Sequence, residues 1–431
     1  VRLGDGRSQV RVLLARPIRR FRTNLKHHLS PLREAKGRDR GNSFPQPPII
    51  ARLRFRAAGV LVSARAKGMI FMQNGVLADH QIRELIARGA IRASAPIDAG
   101  QVQPASLDLR LGATAFRVRA SFLAGRSRTV TERLADFRMH AIDLTGGAVL
   151  EKGCVYVVPL MESLTLPVGM TAAASAKSSI GRLDLLTRII TDHGVEFDRV
   201  PAGYDGPLYV EICPRSFSVV AQPGQMLNQI IFRQGKTIMS DDDLRVLHNV
   251  TPIVSGDPVI SDGLGFSVDL RPEAGNLVGY RAKPHTGVID LAKLNHYDPA
   301  EFWEKVHTDT GWIILDPGAF YILVSREAIV IPPMQAAEMA PYLAMVGEFR
   351  VHYAGFFDPG FGYAAAGGAG SRGVLEVRCH EAPFVLEHGQ VVGRLVYEHM
   401  AALPAALYGQ AIQSNYQGQG LKLSKHFKPS A

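Results

Sequence analysis

An internal duplication with a fixed spacing of 165 residues constrains the fold of this chain more than any other feature. The segment LEKGCVYVVPLMESLTLP (150–167) aligns with LDPGAFYILVSREAIVIP (315–332), and five of the shared positions are identical. The same offset relates VVAQPGQMLNQIIF (219–232) to FVLEHGQVVGRLVY (384–397). Self-similarity at one period is typical of repeated architectures, so the chain is predicted to contain two copies of one structural unit.

Each copy consists of short runs of valine, isoleucine, leucine and tyrosine that are separated by glycine and proline turns. This pattern predicts an all-β fold, with two tandem jelly-roll-like domains and few short helices. We place the first repeat at 69–245 and the second at 246–431. A helix is predicted over 78–90 from its apolar spacing and closing glycine, and a second helical stretch over 300–306.

The positive charge of the chain is concentrated at one end. Residues 1–68 hold 17 of the 49 basic residues and 3 of the 39 acidic ones, which leaves the remainder mildly acidic. The segment is rich in arginine and proline and has no regular period, so we expect a disordered extension. It could act as a nucleic-acid-binding arm, or translation could start at Met69 and leave the segment outside the working protein. We favour the second interpretation and expect no nucleic-acid partner.

Cysteine usage argues against a disulfide scaffold and against zinc. Cys154, Cys213 and Cys379 are sparse and odd in number, which favours a reducing cytoplasm. No cysteine–histidine cluster has the spacing of zinc ligands, so we expect no zinc. No apolar run approaches the length of a membrane span, and we therefore expect no membrane partner.

The segment SAKSSIGRLDL (175–185) is a polar island between apolar runs. Lys177, Ser178, Ser179 and Arg182 could converge on an anion if one of the serines caps a short helix, because lysine, arginine and capped backbone amides all favour phosphate oxygens. The alternative is a capped surface helix with ordinary charges. Spacing alone favours that alternative, since a serine pair is a weak pattern.

Two glutamates occupy equivalent positions in the repeats. Glu211 lies in the apolar strand segment GPLYVEICP, and the offset of 165 places Glu376 on it. A carboxylate inside an apolar strand can have its pKa raised by burial and then act as a base near neutral pH. A glutamate that faces solvent from a half-exposed sheet is the alternative.

The C-terminal segment LYGQAIQSNYQGQGLKLSKHF (407–427) is polar and punctuated by glycine. Its aromatic residues Tyr408 and Tyr416 and its amide side chains could close over a base or a sugar. A frayed terminus is the simpler interpretation.

Taken together, these residues resemble the zinc-free dCTP deaminases, relatives of the trimeric dUTPases, in their long two-repeat bacterial form. The resemblance covers about 75–431 and is carried by six segments: QPASLDLRLG, KSSIGRLDL, TDHG, GYDGPLYVEI, PGQMLNQIIF and YGQAIQSNYQGQG. It implies a dUTPase-like (β-clip) fold, a homo-oligomer in which a trimer is favoured, and hydrolytic deamination of dCTP to dUTP and ammonia. It also implies dTTP as a feedback inhibitor.

The resemblance further implies roles for individual residues. Glu211 matches the glutamate that activates water, and His193 matches a histidine near that water, with Glu376 as a second candidate for the base. The triphosphate is bound together with Mg²⁺. The residues expected on the substrate are Lys177, Ser178, Ser179, Arg182, Tyr408, Asn415, Tyr416 and Gln419.

The two repeats have diverged in complementary ways. Repeat 2 has YLAM (342–345) where repeat 1 has KSS, yet its VHYAGFFDPGFG (351–362) is closer to the family turn before the glutamate. One hypothesis is therefore a site that combines the KSS segment of repeat 1 with repeat 2 or the tail. The alternative functions are a dUTPase, a bifunctional deaminase and diphosphatase, and a non-catalytic nucleotide-binding module.

Overall fold

Short runs of β-branched and aromatic residues form antiparallel strands in both halves of the chain, as the sequence predicts. A computed structural model describes residues 73–272, 275–341, 349–352, 355–410 and 416–429. All of these belong to one unit, Gly68–Ala431. The predicted extension 1–68 and the YLAM segment lie outside the described residues, so those predictions stay open.

Repeat 1 holds most of the helices as well as its own strands. Its elements are β1 (Gly75–Val76), α1 (Asp79–Ala87), β2 (Ile91–Ala93), a 3₁₀ turn (Ala99–Gln101), β3 (Leu107–Arg110), β4 (Thr114–Val118), α2 (Val130–Phe137), β5 (Arg138–Asp143), β6 (Ala148–Leu150), β7 (Val155–Thr165), β8 (Met170–Ala176), α3 (Ser178–Gly181), β9 (Leu185–Thr191), β10 (Arg199–Val200), β11 (Asp205–Pro214), β12 (Val219–Ala221) and β13 (Met226–Gln234). Helix α4 (Asp241–Val250) crosses the boundary between the repeats, and its Leu244 packs in the core of repeat 2.

Repeat 2 follows with β14 (Leu264–Ser267), β15 (Leu277–Ala282), β16 (Ile289–Asp290), α5 (Pro299–Phe302), β17 (Trp303–His307), β18 (Trp312–Leu315), β19 (Phe320–Ile329), β20 (Gln335–Pro341), β21 (Phe349–His352), β22 (Phe356–Phe357), a 3₁₀ turn (Ala364–Ala366), β23 (Ser371–Cys379), β24 (Phe384–Glu387) and β25 (Val391–His399).

The two repeats share one strand order. In repeat 1 the sheets run β1-β13-β8-β10 and β5-β4-β7-β11-β9, and in repeat 2 they run β14-β25-β20-β22 and β17-β15-β19-β23-β21. Both ends of β8 and β20 differ by 165 residues, and so do both ends of β13 and β25. The predicted all-β duplication is therefore confirmed, because sequence spacing and strand order agree.

Each repeat buries its own apolar faces between its sheets. In repeat 1, Ala174 and Ile230 of one sheet pack with Val158 and Val210 of the other. The corresponding core of repeat 2 includes Leu323. Arg233 of β13 joins the repeats through ion pairs with Glu338 and Glu398, at 2.7 and 2.5 Å.

The first predicted helix is confirmed as α1, but the second is wrong in part. Helix α5 ends at Phe302, and Trp303 begins strand β17, which pairs with β15. The Trp303 side chain is buried in the core, and this burial together with strand pairing outweighs local helical preference. Helices α2 and α4 were missed, although both begin with capping boxes, Thr129 with Glu132 and Ser240 with Asp243.

None of the helices in the described ranges has the length and apolar run that a membrane crossing requires. The three cysteines form no disulfide with one another. The predicted cytoplasmic location stays a prediction.

Candidate active site

The KSS segment forms a single buried helical turn at the end of β8. Lys177 is the N-cap of α3 and has no side-chain capping bond, so neither serine caps this helix. Ser179 is 4% exposed and Arg182 is 2% exposed. This burial also excludes the capped surface helix that spacing alone favoured.

Lys177 forms an ion pair with Asp108 of β3. Asp108 lies in the SLDLRL motif and is buried, and its Oδ1 has no hydrogen-bond partner among the described residues. Burial raises the pKa of Asp108, while Lys177 opposes that shift. The ion pair fixes the lysine at the start of the KSS segment.

Arg182 joins the KSS segment to the C-terminal tail. Its two terminal nitrogens donate to the carbonyl of Lys422 and to Oε1 of Gln419, both at 2.9 Å. Its guanidinium lies 3.9 Å from the centre of the Tyr416 ring, a cation–π contact. Gln419 in turn donates from Nε2 to the carbonyl of Arg372 at the start of β23. The tail is therefore held between repeat 1 and repeat 2, and the frayed-terminus interpretation is wrong for these residues.

Glu376 of β23 lies close to this junction. It is 5% exposed, and its carboxyl group forms no hydrogen bond or ion pair with any residue in the described ranges. Burial raises the pKa of Glu376 well above its ordinary value, Arg182 opposes this shift and Asp184 adds to it. A buried, unpaired carboxyl group with a raised pKa accepts a proton more readily than an ordinary glutamate does.

Asp358 is a site residue that the sequence analysis did not single out. It is buried in the turn that precedes β23 and accepts a hydrogen bond from the Ala105 amide at 3.1 Å. Burial raises the pKa of Asp358 to about 7, and the charge of Asp108 adds to the effect. The available signal was an aspartate in a DPG turn ahead of a strand glutamate.

Tyr408 packs on that same turn. Its ring lies 5.7 Å from the Phe361 ring, and its amide donates to the Pro359 carbonyl at 2.8 Å. The predicted site residue Asn415 lies outside the described residues. The tail thus contacts both the turn of repeat 2 and, through Tyr416 and Gln419, the arginine of repeat 1.

Glu211 and His193 are not brought into this cluster. Glu211 is buried, and its Oε1 accepts from Arg188 at 2.5 and 3.1 Å. The Arg188 guanidinium lies 3.6 Å from the centre of the Phe197 ring. His193 is exposed in a turn, with φ of 59°, and its amide donates to the Arg128 carbonyl. The roles predicted for these two residues stay predictions.

No group of three or more His, Cys, Asp or Glu side chains in the described ranges could hold a metal ion. The expectation of a zinc-free site with Mg²⁺ on the triphosphate stays a prediction.

Comparison with known proteins identifies the family of this chain. The model for the 2'-deoxycytidine 5'-triphosphate deaminase N-terminal domain matches residues 73–236, and the C-terminal domain model matches residues 240–427. The chain belongs to the dCTP deaminase family. The resemblance stated from its motifs is therefore confirmed.

Individual dCTP deaminases support this assignment. The crystal structure of the enzyme from Agrobacterium tumefaciens is 55% identical in sequence, with a TM-score of 0.74, and the match covers 76% of this chain and 99% of that one. The dUMP-forming dCTP deaminase of Methanoculleus marisnigri is 30% identical over 36% of this chain and 79% of its own length. The dUMP-forming enzyme of Coprothermobacter proteolyticus is 27% identical over 36% of this chain and 81% of its own length.

Proposed function

We propose that this dCTP deaminase uses one composite site, built from the KSS segment of repeat 1, Glu376 of repeat 2 and the C-terminal tail. The observation that carries the proposal is the position of Glu376, which is buried, unpaired in the described ranges and close to Arg182. A general base needs an unpaired carboxylate, and the raised pKa of Glu376 brings this group closer to the working pH than an ordinary glutamate. We therefore assign the base to Glu376, the second candidate, in place of Glu211.

In this mechanism Glu376 takes a proton from a water molecule as the water oxygen attacks C4 of cytosine. The proton passes to the ring and then to the leaving amino group, so dCTP and water give dUTP and ammonia. Burial of Glu376 places its pKa above that of an ordinary glutamate, which matches a base that must release the proton again. Orientation of water against C4 in a closed site supplies the remaining catalysis.

The substrate enters as the magnesium complex of dCTP. We assign the triphosphate to Lys177, Ser178, Ser179 and Arg182, since a cationic buried turn with hydroxyl groups suits phosphate oxygens. The tail residues Tyr408, Asn415, Tyr416 and Gln419 cover the nucleotide. Formation of a homo-oligomer, with a trimer favoured, and inhibition by dTTP remain part of this proposal.

A bifunctional reaction is the second candidate, because the two curated relatives named above are dUMP-forming enzymes. Such an enzyme would deaminate dCTP and also release pyrophosphate. The two candidates share the deamination step and differ only in the fate of the phosphate chain.

Product analysis after incubation with dCTP and Mg²⁺ tests both candidates. We expect ammonia and dUTP in equal amounts, with no pyrophosphate. Equal amounts of ammonia, dUMP and pyrophosphate would instead establish the bifunctional reaction. Tight binding of dCTP without ammonia would contradict deamination and favour a non-catalytic nucleotide-binding module.

A further inference from the structure

The cations of the KSS segment are already engaged within the protein. Lys177 is paired with Asp108, and Arg182 is occupied by Gln419, the Lys422 carbonyl and the Tyr416 ring. A triphosphate carries several negative charges that a buried site must balance. A further cation that has no partner inside the protein would therefore help to balance the charge of a triphosphate bound at the KSS segment.

The C-terminal tail supplies such a cation in Lys425. Its ammonium group forms no hydrogen bond or ion pair with the described residues, although the side chain is half-buried. Burial lowers the pKa of Lys425, Lys177 lowers it further, and Asp108 opposes the shift. Lys425 is therefore near enough to Lys177 and Asp108 to feel both charges, while Asp108 is paired with Lys177 alone.

The backbone around Lys425 is fixed on both sides. Ser424 donates from Oγ to the carbonyl of Ser179, at 2.7 Å, and so ties the tail directly to the KSS turn. The carbonyl of Lys425 accepts from the amide of Asn295 at 2.9 Å. Phe427 then packs edge-on against Tyr297 and Phe302. Lys425 is thus held in place before any ligand binds, which reduces the entropy lost on binding.

We propose that Lys425 binds the triphosphate of the substrate together with the KSS segment, as a specificity residue for the triphosphate over the monophosphate. The position of Lys425 carries this inference. The hydrogen bond from Ser424 to Ser179 holds the chain on one side of it, and the packing of Phe427 holds the other side. The lysine lies beside the Lys177–Asp108 pair. The inference rests on the proposed function, since it assigns the phosphate end of the same site. An anion at this place would pair the free ammonium and relieve the repulsion between the two lysines.

The variant Lys425→Gln tests the inference through binding and kinetics. The dissociation constants for dCTP and dCMP are measured by calorimetry, and KM and kcat for dCTP are measured by ammonia release. Loss of one charge-assisted phosphate contact should weaken dCTP binding and raise KM by about tenfold. Binding of dCMP and kcat should change by less than about twofold, because a contact present in both the ground and transition states does not alter kcat.

Matched variants separate this effect from a general loss of charge or of packing. Lys428→Gln removes an exposed lysine from the same tail and should leave dCTP binding unchanged. Lys425→Arg should restore most of the affinity, and Lys425→Met keeps the aliphatic stem while it removes the charge. Thermal unfolding of each variant reports any structural cost.

Two outcomes would overturn the inference. One is an unchanged dCTP affinity in Lys425→Gln, and the other is an equal loss of affinity for dCTP and dCMP. Absence of ammonia with the wild-type protein would contradict the proposed function instead. In that case the ratio of dCTP to dCMP affinity would still decide the role of Lys425.

Discussion

Glu211 and Glu376 occupy the same position in the two repeats but have different surroundings. In the sheet of repeat 1, Glu211 lies between Val157 and Arg188 and is paired with the arginine. In the sheet of repeat 2, Glu376 lies between Ile322 and His352, and its carboxyl group has no hydrogen-bond or ion-pair partner in the described ranges. Duplication therefore preserved the strand and its glutamate, while the neighbouring elements determine what each glutamate can do.

The difference arises from what covers each sheet. In repeat 1 the face that carries Glu211 is covered by Phe122, Val130 and Leu134 from the segment around α2. In repeat 2 the equivalent face packs with Leu423 and Phe427 of the tail and lies near Arg182 of repeat 1. The two glutamates therefore differ in what is available to a ligand: the Glu211 carboxylate is held by Arg188 under an apolar cover, whereas the Glu376 carboxyl group lies beside the tail and Arg182.

The largest expected effect is on turnover. Glu376→Gln keeps the shape of the side chain but removes the base, and kcat should fall by about 10²- to 10⁴-fold. Glu211→Gln should retain kcat within a few-fold, because Glu211 is paired away from the cluster. Ammonia release from dCTP by the two purified variants measures the difference. Our assignment would be reversed if Glu211→Gln lost turnover while it kept native thermal stability, and if Glu376→Gln remained active.

Stability should suffer in Glu211→Gln, the variant that keeps its turnover, and not in Glu376→Gln. Glu211→Gln breaks a buried ion pair and leaves Arg188 without its partner, at a cost of about 1–3 kcal/mol in the free energy of unfolding. The pKa of Glu376 is raised on folding, so its stabilising contribution is complete below the unfolded pKa and is lost as the pH rises through the folded value. Glu376→Gln cannot ionise and should therefore be more stable than the wild type at about pH 8.

Urea unfolding of both variants at about pH 5 and pH 8 provides the measurement. The gain from Glu376→Gln should be larger at the higher pH. An equal loss of stability in the two variants would mean that both glutamates are structural.

The smallest expected effect concerns the pH dependence of kcat/KM. Because the base must be deprotonated, kcat/KM should decrease as the pH falls through the raised pKa of Glu376. The midpoint should lie above the ordinary glutamate value of 4.5. Glu211→Gln should leave this midpoint where it is in the wild type. A midpoint that moves in Glu211→Gln would show that the base is coupled to Glu211.

The duplication and the all-β class could be predicted because apolar spacing repeats at one offset through both halves. The sequence shows the KSS segment as a polar island. It does not show that the segment is buried, because burial depends on β13 and on a tail more than 200 residues away. The sequence also could not show which of the two glutamates is the base. Their local sequences are alike, and the pairing of Glu211 depends on Arg188 of a neighbouring strand.

The sequence by itself determined the all-β duplicated fold, the KSS segment and the two equivalent glutamates, because these depend on local composition and spacing. Tertiary structure alone decided which glutamate stays unpaired, and it alone brought Asp358 and Lys425 towards Lys177. Burial and charge are properties of neighbours in space, and the neighbours here come from separate repeats and from the tail.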